Sequence, residues 1–131
     1  MYHYEKIIST AKESFPEIET YKTMLFEPEL GDWIINEDSP YIFFPAFWKL
    51  LEYTLIGRIE DNGLTSRIFQ FMENMANSEA MVRDLMAIEM LEPLFGLEYD
   101  TYDKAIKRYL LPETLKIHKM QLPFFCVPKP K

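Results

Sequence analysis

Apolar residues recur at the helical period almost from the first position of this chain. Tyr4, Ile7, Ile8, Ala11 and Phe15 fall on one helical face, with Glu5, Lys6, Lys12 and Glu13 elsewhere, which predicts a first helix ended by Pro16. Ile18, Tyr21 and Leu25 make a second, shorter stripe, punctuated by Pro28 and Gly31. From residue 46 to 60, Phe47, Leu50, Leu51 and Thr54 form a stripe that Trp48, Leu55 and Ile59 widen, so this helix is expected at the centre of the core. Asp61-Asn62-Gly63 reads as a turn. Leu64, Ile68, Phe71, Met72 and Met75 give the next inward face, and Arg67, Gln70, Glu73 and Asn74 are assigned to solvent.

Ser78 is the expected N-cap of a helix that is apolar nearly all round, through Met81, Val82, Leu85, Met86, Ile88, Leu91, Leu94 and Phe95, and is therefore expected to be buried. Pro93 should kink or end it, with Gly96 as the stop. Asp100 is the expected cap of a further helix with Tyr102, Ala105, Ile106, Tyr109 and Leu110 inward, and Glu113 to Met120 give the last helix. Residues 122–131 are read as an extended Pro-rich tail tied to the body by Phe124 and Phe125. Residues 27–45 lack a clear period. Trp33–Ile35 and Tyr41–Phe44 flank a turn-like stretch, which fits a small β-hairpin near residues 32–44. A loop leading to a helix that starts near Pro45 agrees better with the helical remainder. The whole is expected to be one all-α domain over residues 1–131, a compact multi-helix bundle or a short HEAT-like α-solenoid.

Composition narrows the class. Hydrophobic residues at 48% and aromatic residues at 15% can fill a real core. No apolar run approaches the ~20 residues of a membrane-spanning helix. Glu5 and Lys6 stand where a signal peptide would need apolar residues, so the expected location is the cytoplasm, without membrane contact. The lone Cys126 excludes an internal disulfide and a CxxC zinc site.

The net charge of −7 is unevenly spread: −6 over residues 1–39, −5 over 40–99 and +4 over 100–131. An acidic body argues against nucleic acid as the main partner and suits a basic protein, or plain solubility. The basic residues Lys104, Lys107, Arg108, Lys116 and Lys119 read as a solvated face.

Candidate chemistry is sparse. The only histidines are His3 and His118, and His118 lies on the inner side of the last helix, as a structural histidine would. No phosphate-binding, dinucleotide-binding or nucleophile-elbow motif occurs. No enzyme activity, cofactor or metal is therefore expected. Glu89 and Glu92, three residues apart on a mostly apolar helix, share a face. Buried carboxylates need partners, so one is expected to bond Arg58, Arg67 or Arg83, or to cap a neighbouring helix; an acidic contact role is the alternative. Two acidic, aromatic segments are the candidate partner-binding sites. The first holds Glu27, Glu29, Asp32, Trp33, Glu37 and Asp38; the second holds Glu98, Tyr99, Asp100 and Asp103. Rings supply contact energy and carboxylates supply steering toward a basic protein, although Trp33 could equally plug the core.

The paired stretches FQFMENM and VRDLMAIEMLEPL, their acidic connection and Glu92 resemble small helical bacterial immunity proteins of polymorphic or contact-dependent toxin systems. The detailed likeness covers residues 64–97, and the rest agrees in length and helical character. The resemblance implies a monomeric inhibitor that binds a cognate toxin, commonly a basic nuclease, and covers its active site. It transfers no individual binding residue, because each such protein fits its own toxin. Two other readings stay open: a helical adaptor that binds a peptide or self-associates, and an enzyme built on Glu89, Glu92 and His118.

Overall fold

The computed structural model describes residues 1–25 and 38–131, and every regular element in them is helical. A 3-10 turn at Tyr4–Lys6 leads into α1 (Ile7–Ser14), followed by the single turns α2 (Glu17–Thr20) and α3 (Lys22–Leu25). Next come α4 (Pro40–Leu55), α5 (Asn62–Ala76) and α6 (Ala80–Met86). Helix α6 continues as a π segment, Ala87–Leu91, and a 3-10 segment, Glu92–Gly96. Helix α7 (Tyr99–Lys104) also widens into a π segment, Ala105–Tyr109, before α8 (Pro112–Gln121) and a final 3-10 turn, Leu122–Phe124. Among the described residues, no helix is long and apolar enough to cross a membrane.

Helix α4 corrects the reading of residues 41–44 as one arm of a hairpin and of Pro45 as a helix start. It begins at Pro40, whose missing N–H suits a first helical position, after an extended Ser39. Its first turns bury Phe43, Phe44 and Phe47, with Phe44 edge-on to both of its neighbours at 5.6 Å. Burying these rings beside one another favours the helix despite Pro45 within it. The chain leaves α4 through Gly57, at φ 82°, a left-handed position that glycine adopts without steric strain.

Helices α4 and α5 form the centre. Helix α4 packs on α1, α2, α3, α5 and the π segment after α6; α5 packs on α4, α6, α8 and the π segment after α7. Phe47 lies edge-on to Phe15 at 5.0 Å and to Phe71 at 5.6 Å, so rings from two helices and a connecting turn lock together. Asp61 caps α5 by accepting from the Leu64 N–H at 2.9 Å.

Three further assignments change. Glu73 does not face solvent: it is buried, and its carboxylate accepts from the Glu113 and Thr114 N–H groups at 2.9 Å each. It supplies from α5 the cap that the apolar Leu111 side chain cannot give α8. The N-cap of α6 is Glu79 and not Ser78, whose hydroxyl instead accepts from the Tyr2 N–H at 2.8 Å and donates to the Asn74 carbonyl. The N-cap of α7 is Glu98, with Asp100 in its first turn.

The tail is anchored by one phenylalanine of the expected two. Phe125 stacks on Phe95 at 4.9 Å, and Phe124 is 80% exposed. The backbone changes from a 3-10 turn at Phe124 to extended at Phe125.

Candidate functional site

Helix α6 cannot run on as a plain α-helix. Pro93 has no N–H to give the Glu89 carbonyl, and the hydrogen-bond ladder widens in the turn before it. The Glu92 N–H reaches the Ala87 carbonyl, five residues back. Gln121 of α8 donates to the same carbonyl at 3.0 Å. One chain of contacts therefore runs from Glu73 through α8 to the π segment. That segment sets the directions of Glu89 and Glu92.

Both glutamates are half-buried, and among the described residues neither has an ion-pair or hydrogen-bond partner. The expected arginine contacts go elsewhere: Arg67 binds Glu17 at 2.7 Å, and Arg58 lies over the Tyr53 ring. Burial raises the Glu89 carboxyl above the usual range, and the nearby Glu92 raises it further; burial raises Glu92 as well. Tyr41, at the start of α4, belongs to the same face. Its hydroxyl is pushed up by burial and then by Tyr4, Asp84 and Glu89. Apolar groups accompany the acids: Tyr41 is 39% exposed and Ile88 44% exposed, and Met81 and Ile42 are exposed too. Met81, Asp84, Ile88 and Glu92 follow at three- and four-residue steps, so they share one outward stripe. The result is an acidic, aromatic and apolar face on rigid elements.

The residues named from sequence lie elsewhere. Glu27, Glu29, Asp32, Trp33 and Glu37 fall outside the described residues. Asp38 lines a groove of about 340 Å³ with Glu5, Ile8, Ser9 and Lys12. Glu98, Tyr99 and Asp100 line a second groove, of about 450 Å³, against Pro128 to Lys131. Asp103 pairs with Lys107 at 3.1 Å, and Lys131 approaches Glu98 at 3.9 Å, so basic neighbours partly neutralise this segment. The two grooves have no lining residue in common.

His118 sits apart from both glutamates. It is buried against α7 and the 3-10 segment after α6, with Nε2 at 2.6 Å from the Tyr102 hydroxyl and its ring stacked on Phe95 at 4.8 Å. Among the described residues, its Nδ1 meets no hydrogen-bond partner. Among the described residues, no group of three or more His, Cys, Asp or Glu side chains is arranged to hold a metal ion.

A family model described as a domain of unknown function, DUF7674, matches residues 8–123. The chain belongs to the DUF7674 family. No curated protein and no solved structure matches it. The matched DUF7674 region takes in the whole path from Glu73 through Gln121 to Glu89 and Glu92.

Two titration predictions follow for this DUF7674 domain. The folded state holds the Glu89 proton to higher pH than the unfolded chain does. Stability from this group therefore falls as pH rises above the ordinary carboxylate value of 4.5. Glu89→Gln should raise the unfolding midpoint at neutral pH, by no more than about 1 kcal/mol for so solvent-screened a charge. Thermal melts of both proteins at neutral pH check this.

His118 works in the opposite sense. Burial holds its imidazole below the ordinary value of 6.5, so the folded state binds fewer protons than the unfolded one as pH falls past that value. Stability should decline on acidification from there, and His118→Gln should flatten that part of the profile. Urea unfolding across the weakly acidic range reads this out.

Proposed function

We propose that this domain is a protein-binding module that captures a basic partner, and that the partner is a bacterial toxin whose substrate cleft it covers. One observation carries the proposal. Glu89 and Glu92 are half-buried beside Asp84 and Tyr41 with no cation from the described residues. Such an arrangement is unfavourable in the free protein and is relieved when a partner brings arginine or lysine. Exposed Tyr41, Ile42 and Ile88 add the apolar contact area that acidic residues alone lack. The resemblance to immunity proteins names the kind of partner, and the net charge of −7 would speed encounter with a basic surface.

The direct test is a pull-down at low salt with the product of the gene adjacent to this one. The expected result is a one-to-one complex that weakens as salt rises. Failure to bind at low salt overturns the toxin assignment.

A further inference from the structure

The C-terminal end of the molecule inverts the character of the rest. Residues 100–131 carry +4 in a chain of −7. The inner face of α8 is taken up by buried Thr114, His118 and Gln121, which hold the helix to the body. Its outer face is unpartnered. There Pro112, Leu115, Lys116, Lys119 and Met120 line a shallow groove of about 390 Å³. Met120 is 67% exposed, and the following turn exposes Leu122 and Phe124. Among the described residues, no ion pair engages Lys116, Lys119 or Lys129.

Phe125 is held by its stack on Phe95, which itself stacks on His118. Phe124, the last residue of the 3-10 turn, takes no part in that stack and stays exposed. A protruding aromatic ring close in the chain to exposed leucine and methionine, with Lys116 and Lys119 beside that methionine, matches the chemistry of an interfacial anchor. The exposed Phe124 ring suits insertion into a soft surface, and the lysines complement anionic headgroups. Pairing this end with itself in a second copy would bring like charges together.

We propose that Met120, Leu122 and Phe124, with Lys116 and Lys119, form a peripheral attachment site for an anionic lipid surface. This departs from the expectation of no membrane contact and requires no membrane-spanning helix. It stands independently of the acidic face. Attachment needs both components. Apolar insertion alone is slight, and the lysines must act against a body that the same lipids repel.

Co-sedimentation of the full chain with phosphatidylcholine vesicles, with or without phosphatidylserine, tests this. Binding is expected only with phosphatidylserine, and it should fall with added salt. Phe124→Ser and the pair Lys116→Glu, Lys119→Glu should each reduce it at least about tenfold. These side chains are exposed, so circular dichroism should show the variants folded. Absence of sedimentation, equal sedimentation without phosphatidylserine, or an unaffected Phe124→Ser variant overturns the proposal. So does a stable dimer in light scattering that Phe124→Ser dissociates, since a second copy then occupies this face.

Discussion

Glu73→Ala is expected to destabilise the domain by about 3–5 kcal/mol, because it removes two charge-assisted hydrogen bonds at once. The Thr114 N–H lies where water cannot replace the lost acceptor, as Thr114 is fully buried. Glu73→Gln keeps one acceptor oxygen but presents an amide N–H₂ to the second donor, so it should recover only part of the loss. Chemical unfolding followed by circular dichroism measures both. A loss below about 1 kcal/mol for the alanine variant would mean that α8 docks without this cap. The effect should also travel. Helix α8 carries Gln121, which holds the Ala87 carbonyl, so loosening α8 should loosen the turn bearing Glu89 and Glu92. Hydrogen exchange of the Glu92 amide is expected to rise in the variant.

Phe47→Ala should be about as severe, at about 3–5 kcal/mol. Phe47 is fully buried and meets the rings of Phe15, Phe44 and Phe71, so its removal opens a cavity where four aromatic side chains converge. These rings belong to different elements and cannot close the gap without moving α4 against α5. Phe47→Leu refills most of the space and should lose clearly less. Met81→Ala, at an exposed position on α6, is the control and should stay within about 0.5 kcal/mol. A loss below about 1 kcal/mol for Phe47→Ala would contradict the assignment of this ring cluster as the core.

The helical class is legible because α1 and α5 carry an apolar period along their length. Tyr41 to Phe44 carries none: four apolar or aromatic residues in a row serve a strand as well as a helix, and only the burial of Phe43 and Phe44 decides. Glu73 was assigned to solvent from the first stripe of α5. A second stripe was present in the sequence. Thr65, Phe69, Glu73 and Ala76 recur at three- and four-residue steps, and all are buried. A helix with two inward faces places a charged residue against a partner, here the start of α8. Ser78 and Glu79 are neighbours, and composition alone does not separate two adjacent capping candidates.

The interest of Glu89 and Glu92 was visible as two acids on an apolar helix, but their environment was not. It depends on the π segment, on Gln121 from α8 and on Tyr41 from α4, all brought in from distant parts of the chain. Sequence spacing assigns such residues to a face and says nothing of which side chains reach it. Phe124 shows the same limit: only the stack of Phe125 on Phe95 distinguishes the anchored ring from its protruding neighbour.

If the acidic face is functional, it should carry a stability–activity conflict. Removing the Glu89 charge should help the isolated domain and harm its complex. The most direct measurement is a calorimetric titration of the purified domain with the product of the adjacent gene. It compares the wild type with Glu89→Lys, Glu92→Lys and the double variant at low and raised salt. One-to-one binding is predicted, weakened by salt and reduced at least about tenfold by each reversal, with all variants folded. Binding of equal strength in the double variant would contradict the account and move the partner's contact away from this face.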